Sequence, residues 1–155
     1  MTDVFPGRGP FQRVLDHVYM QADVDVRVRF TVNDEALTDL HDRAFGSSAT
    51  VVQPWSYRLE RHSLTWVGAF AGSTLVGFVN ICWDGGSHAF MLDTAVHPDF
   101  QGRRIGRQLV LTAAAEAKRA GCQWLHVDYE PHLRSFYRDS CGFRPTDAGL
   151  LNLKG

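Results

Sequence analysis

The sequence predicts an α/β domain: a central mixed β-sheet of about six to seven strands flanked by helices. Three observations predict it. Residues 64–96 hold three apolar, strand-length runs separated by two tight turns. Ile105, Leu109, Ala113, Ala117 and Ala120 then recur at spacings of three and four, the period of a long amphipathic helix. Strand-like runs lie on both sides of that helix. Tight turns join antiparallel neighbours, whereas a helical crossover joins parallel ones, so the sheet must be mixed.

In chain order, residues 1–23 form an N-terminal extension before a domain expected over 24–155. Pro6, Gly7, Gly9 and Pro10 punctuate it, and Phe11, Val14, Leu15, Val18 and Tyr19 carry the helical spacing of a short docked helix. Val24, Val26, Val28 and Phe30 alternate with Asp25, Arg27 and Arg29, the pattern of a half-buried strand. Asn33 caps a helix whose stripe is Ala36, Leu37, Leu40, Ala44 and Phe45, and Gly46 ends it. After a polar loop, Pro54 fits the first turn of a second helix with Trp55, Tyr57 and Leu59. Strands follow at 64–70 and 74–83, joined through Ala71-Gly72-Ser73. Asp84-Gly85-Gly86 makes the next turn and leads to a strand at 89–96, stopped by Pro98. Gly121 closes the long helix. A strand at 124–129, parallel to 89–96, precedes a short helix opened by Pro131, holding Leu133, Phe136 and Tyr137 and ended by Gly142. Residues 150–153 supply a last strand.

The 155 residues fit one domain, and a chain of about 150 residues buries roughly 68–70% of its surface, enough for a core without staples. Sixteen Lys and Arg against 17 Asp and Glu give a net charge of −1, which lacks the basic footprint of a nucleic-acid binder. With 45% hydrophobic and 21% charged residues, the composition is not that of a disordered chain. Cys82, Cys122 and Cys141 are odd in number and form no C-x-x-C pair, so a reduced, cytoplasmic protein is expected. The first residues show no basic stretch followed by an apolar run, so no signal peptide is expected. The longest nearly apolar stretch, 74–83, is half a membrane span, so no membrane partner is expected.

The chemistry concentrates in residues 96–107, VHPDFQGRRIGR, between a strand and a helix. A helix N-terminus presents unpaired N–H groups and the positive end of a dipole, which suits a phosphate. Gly102 and Gly106 allow close backbone approach, and Arg103, Arg104 and Arg107 add charge. Neither G-x-x-x-x-G-K-[ST] nor G-x-G-x-x-G is present, which excludes a P-loop and a dinucleotide fingerprint. An ordinary strand-to-helix turn with a solvated basic end is the alternative.

Val96, Pro98, Gln101 and Gly106 stand at the spacing V-x-P-x-x-[Q/R]-x-x-G-x-[G/A]. This segment resembles the acyl-CoA loop of the GNAT superfamily of acetyl-CoA-dependent N-acetyltransferases. Arg104 occupies the position of that pattern's first glycine. Phe136, Tyr137, Gly142 and Phe143 match a second motif of the family, N-x-x-A-x-x-[F/L]-Y followed by G-F, with Glu130 in place of its Asn and Leu133 in place of its Ala. The element order from Val24 onward is similar to the family's as well.

The resemblance implies a GNAT-like fold and acetyl transfer from acetyl-CoA to a primary amine of a small molecule or peptide, by direct attack and without a metal. The backbone of Ala95 and Val96 would hold the pantetheine arm. The N–H groups of Gln101, Gly102, Arg103, Arg104, Ile105 and Gly106, with Arg107, would hold the pyrophosphate. Tyr137 matches the tyrosine that protonates the departing thiolate, a role open to a phenol of pKa about 10; packing on the core is its other role. Asp93, three residues before Val96, lies near the expected thioester as base through a water or as charge partner of the amine. His88, His97, His126, Asp128 and Glu130 are alternative bases. His126, Asp128 and Glu130 share one strand face by parity, which also makes Asp128 and Glu130 candidate acceptor contacts. Trp55 and Tyr57 lie where the family walls its acceptor pocket. Cys122 and His126 are only two ligands, so no metal site is expected. A non-catalytic acyl-CoA-binding or regulatory module is the alternative function, and the chain is expected to be a monomer or homodimer.

Overall fold

The computed structural model describes residues 23–48 and 51–154. The helix expected between Phe11 and Tyr19 lies outside them. Among the described residues the sheet has five strands in the order β1-β2-β3-β4-β5: β1 Val24–Val28, β2 Ser63–Ala71, β3 Thr74–Trp83, β4 His88–Val96 and β5 Trp124–His126. The first four pair antiparallel. β5 joins β4 in parallel, as the intervening helix requires.

The helices are α1 Asp34–Phe45, α2 Trp55–His62 and α3 Ile105–Arg119. Asn33 caps α1 through its Oδ1, which accepts the Ala36 N–H at 2.9 Å. Gly46 ends α1 at φ +67°, in the left-handed region. Pro54 stands at the cap of α2, one residue before its first turn.

The sheet separates two apolar cores. Leu37 and Leu40 of α1, with Trp55 and Leu59 of α2, pack on Trp66, Phe78 and Ala95. On the opposite face Ile105, Leu109, Val110 and Ala113 of α3 pack on Val67, Val76, Ile81 and Met91, with Tyr137. α3 lies close over β3 because Gly77 has no side chain: a Cβ there would meet Leu109 Cδ1 at 2.9 Å.

Two expectations change. The sheet is smaller than six to seven strands, because residues 150–153 form none: Leu150, Leu151 and Leu153 are 84–88% exposed. Leu150 and Leu151 are adjacent, so the segment has no clean alternation with which to bury one face. β5 covers three residues rather than 124–129, because the parallel ladder ends at Phe90–His126. The short helix expected after Pro131 is present and runs without a gap over 131–140, opening as a tight turn at Pro131–Leu133 and widening over Phe136–Ser140. There the Cys141 N–H reaches the Phe136 carbonyl at 3.0 Å, five residues back.

Candidate active site

Where β5 parts from β4, an edge opens. Only residues 88–90 of β4 pair with β5, and no strand among the described residues pairs with β4 beyond them on that side. Residues 91–95 therefore lack a strand partner on the side that faces a wedge between the two strands, and the Val96 carbonyl beyond them is met by the Gln101 side chain. A groove of about 1140 Å³ runs along the β5 side of the wedge, lined by Met91, Leu92, Val127, Asp128, Tyr129 and Arg138 among others. The loop 101–107 lies outside that groove.

β4 carries an extra residue in this stretch. Asn80 pairs with Leu92 and Phe78 with Ala95, so two steps on β3 face three on β4. Asp93 takes up the excess at φ +56°, a left-handed conformation uncommon for a residue with a side chain. The bulge changes which face each side chain meets. Met91 lies in the α3-side core, whereas Ala95 lies in the α1–α2-side core. Asp93 turns to the α1–α2 side, where its Oδ1 lies 3.3 Å from His41 Nε2 and its Oδ2 accepts from Arg58 Nη2 at 2.8 Å. Its side chain is 21% exposed. Burial pushes the Asp93 carboxyl up, but the hydrogen bond with His41, the Arg58 charge and a hydrogen bond with Asn80 outweigh it and hold the group below the usual carboxylate range. Thr94, the next residue, faces the Tyr137 hydroxyl on the other side and acts to lower its pKa.

Tyr137 is 5% exposed. Its ring stacks on Tyr129 at 4.9 Å and meets Phe136 and Phe143 edge-on. Burial raises its hydroxyl above the ordinary phenol value, Cys141 and Asp128 add to this, and Thr94 opposes it. Tyr137 is therefore protonated throughout the neutral range. Arg138 Nε donates to the Tyr129 hydroxyl at 2.9 Å, fixing the stacking partner.

At the other end of the β4 edge, Gly102 has φ +74° and Arg104 has φ +62°. The first intrahelical bond of α3 runs from the Gln108 N–H to the Arg104 carbonyl at 3.0 Å. The N–H groups of Ile105, Gly106 and Arg107 thus open the helix without intrahelical acceptors. Left-handed turns just before a helix start make a concave nest of N–H groups suited to an anion. Gly106 is needed for a second reason: a Cβ there would lie 3.2 Å from Phe136 Cζ and 3.6 Å from Val96 Cγ2. The charged side chains are partly committed elsewhere. Arg107 Nε donates to the Ser140 carbonyl at 2.9 Å, and Arg103 Nη2 to the Asp99 carbonyl at 3.1 Å. Gln101 Nε2 donates to the Val96 carbonyl at 3.3 Å.

A profile of the acetyltransferase (GNAT) family matches residues 34–143. The chain belongs to the GNAT acetyltransferase family. It is 34% identical over 68 residues to an uncharacterized N-acetyltransferase of Pyropia yezoensis, a match covering 44% of this chain and 39% of that protein. A counterpart from Porphyra purpurea is 32% identical over the same share of each chain. The match thus spans 39% of the length of these curated relatives. Glucosamine-6-phosphate N-acetyltransferase from Arabidopsis thaliana shares the GNAT fold at TM-score 0.70 and 12% identity, over 85% of this chain and 99% of that one. So does AAC(6')-Iy, solved with the bisubstrate analogue CoA-S-monomethyl-acetylneamine, at TM-score 0.68 and 18% identity, over 85% and 98%. A GNAT-family acetyltransferase of Streptococcus pneumoniae is 27% identical at TM-score 0.63, over 84% and 99%.

Among the residues singled out from the sequence of this GNAT chain, Tyr137, Asp93, Ala95 and Val96 gather at the bulged half of β4, and residues 101–107 begin where that strand ends. Trp55 lies beside them on the α1–α2 side, with the Arg58 guanidinium 4.1 Å over its ring and its buried indole N–H lacking a partner among the described residues. Tyr57 is not brought in; it is 62% exposed on the outer side of α2. Asp128 is an exposed part of the groove lining. Glu130 is also exposed, and its carbonyl caps the turn that follows, accepting the Leu133 N–H at 2.9 Å. Of the alternative bases, His97 accepts the Asp99 N–H at 3.1 Å, and His88 and His126 pair with each other at 2.7 Å. Sequence reasoning missed His41, Arg58, Thr94 and Tyr129. A signal existed for His41, which lies four residues after Leu37 in the apolar stripe of α1.

No group of three or more His, Cys, Asp or Glu among the described residues could hold a metal ion. No described helix is long and apolar enough to cross a membrane.

Proposed function

We propose that this protein moves the acetyl group of acetyl-CoA to a primary amine by direct attack of the amine on the thioester. The observation that carries the proposal is the open edge of β4, which runs from Thr94, beside Tyr137, into the bare N–H groups that open α3. That arrangement suits an extended acyl-CoA: strand-like amide pairing along Ala95 and Val96, then a pyrophosphate on residues 101–107. The N–H nest at Gly102 and Arg104 fits the anion, and Gly106 keeps the helix start free of a Cβ. The co-substrate supplies the activated acyl group. Tyr137 supplies a proton to the departing sulfur, for which a buried, protonated phenol is suited. The Asp93 corner, on the opposite face of the strand, meets the amine.

A small amine is the favoured acceptor. The bisubstrate analogue bound by AAC(6')-Iy joins CoA to such a molecule, and the α1–α2 side offers Trp55, His41 and Arg58 around Asp93. Asp128, in the groove lining, is a further acceptor contact. The catalytic domain is proposed to span 24–155, with residues 1–23 as an extension.

The test is thiol release from acetyl-CoA over a panel of small amines, amino acids and peptides, with products identified by mass spectrometry. Turnover with an N-acetylated product is expected. A thermal shift with CoA but no thiol release from any amine would overturn catalysis and leave a binding module. Absence of a shift as well would remove the cofactor assignment.

A further inference from the structure

We infer that His41, oriented by Asp93, takes the proton from the incoming amine, and that Asp93 is a positioning residue. This rests on the acetyl-transfer proposal above and identifies the group on its acceptor side that performs the proton transfer.

The assignment follows from how donors and acceptors pair in the corner. An ionised carboxylate can only accept. Arg58 donates to one Asp93 oxygen at 2.8 Å, and His41 Nε2 faces the other at 3.3 Å. The ring nitrogen in that contact must carry the hydrogen. In the neutral ring the lone pair then belongs to Nδ1, which makes no hydrogen bond among the described residues. The imidazole is held against Phe45 at 4.5 Å and Trp55 at 5.1 Å between ring centroids. Its side chain is 27% exposed, so an acceptor or a bridging water can reach it. A carboxylate that fixes the tautomer and angle of an imidazole leaves the imidazole as the base. Asp93 itself is poorly placed for that role, since an arginine and a histidine occupy its two oxygens. The charged groups meeting this corner from the packed elements are Asp93 of β4 and Arg58 of α2; β3 presents the neutral Asn80.

The step balances as follows. The acceptor arrives as an ammonium ion, and His41 Nδ1 removes one proton, directly or through a water. The freed nitrogen lone pair forms the N–C bond to the acetyl carbonyl carbon. The C–S bond breaks, and sulfur leaves with its electron pair and takes the Tyr137 proton. The nitrogen sheds a second proton, which restores Tyr137, and His41 returns the first to solvent. One amide, one thiol and one released proton result.

Two measurements test this on the full chain. In ¹⁵N-histidine-labelled protein without ligand, two-bond ¹⁵N–¹H correlations at neutral pH should show His41 as the Nε2–H tautomer, and Asp93→Ala should shift it toward a mixture. A wild-type Nδ1–H tautomer would overturn the inference. For kinetics, the probe is acetyl-CoA with whichever panel amine turns over fastest. His41→Gln keeps a donor for Asp93 but cannot take a proton, and should lower kcat by roughly 10²-fold or more with the KM for acetyl-CoA unchanged. His41→Ala should fall equally and be partly rescued by added imidazole. Turnover of a folded His41→Gln within about threefold of wild type would overturn the inference while leaving acetyl transfer intact. A wild type that acetylates no amine would overturn both.

Discussion

Replacing Tyr137 with phenylalanine removes one oxygen atom and leaves the ring in its stack on Tyr129 at 4.9 Å. What is lost to the fold is at most one hydroxyl hydrogen bond, worth about 0.5–1.5 kcal/mol. For a domain of this length that lowers Tm by roughly 1–6 °C. What is lost to the reaction is larger. A positioned acid contributes about 10²–10⁴ in rate, or roughly 3–5 kcal/mol of barrier. The two losses are separable, because a domain with ordinary stability stays folded after losing about 1 kcal/mol. The assay is thiol release at saturating acetyl-CoA and amine, with CoA affinity by calorimetry and Tm alongside. The expected result is a fall in kcat of at least about 10²-fold with CoA affinity unchanged. Burial raises the Tyr137 hydroxyl, so the acid form persists to higher pH than in a free phenol, and the midpoint of any loss of wild-type kcat from its ionisation lies above pH of about 10. A variant that loses several degrees of Tm yet keeps kcat within threefold would refute the acid role and leave a packing residue.

Gly106→Val places a branched side chain where even a Cβ lies 3.2 Å from Phe136, so acetyl-CoA affinity measured by calorimetry should fall at least about tenfold; unchanged affinity in the folded variant would remove the loop from the cofactor site. Leu109→Ala empties a fully buried position of α3 and should cost about 2–5 kcal/mol in urea unfolding, without altering the sheet's strand order. Asp93 titrates lower in the fold than in the unfolded chain, so its contribution is present above the usual carboxylate value and is lost as pH falls below it toward the folded value. Asp93→Asn should therefore flatten the acid limb of Tm against pH below about pH 4, and an unchanged acid limb would mean that the carboxylate is not held by Arg58 and His41.

Local chemistry was legible where one residue type has one use. Asn33 and Gly46 bound α1, and Asp84-Gly85-Gly86 turns β3 into β4, with the Asp84 carboxylate accepting the Gly86 N–H at 2.8 Å. The loop at 96–107 was legible because glycines and arginines between a strand and a helix serve few purposes. The bulge was not. Strict alternation along β4 puts Asp93 on the face of Met91, and one extra residue carries it to the opposite face. Nothing in FMLDTAV announces that insertion, because it arises from pairing with β3. His41 and Arg58 were hidden for a related reason: their partner lies 52 and 35 residues away, respectively. The expected strand at 150–153 failed because a short leucine-rich run does not specify the edge it should join.

The two cores on either side of the sheet have a consequence for how such a protein can change. Leu37, Leu40 and Leu59 support the corner that holds Asp93, whereas Leu109, Val110 and Ala113 support the side that holds Tyr137. Between them stands one layer of backbone, and substitutions without shared partners combine almost additively. Helices α1 and α2 can therefore be remodelled, residue by residue, with little disturbance to the face that carries Tyr137 and α3. Diversification of one face and constancy of the other are compatible within a single small domain, because the strand that serves both, β4, sends Asp93 one way and Thr94 the other.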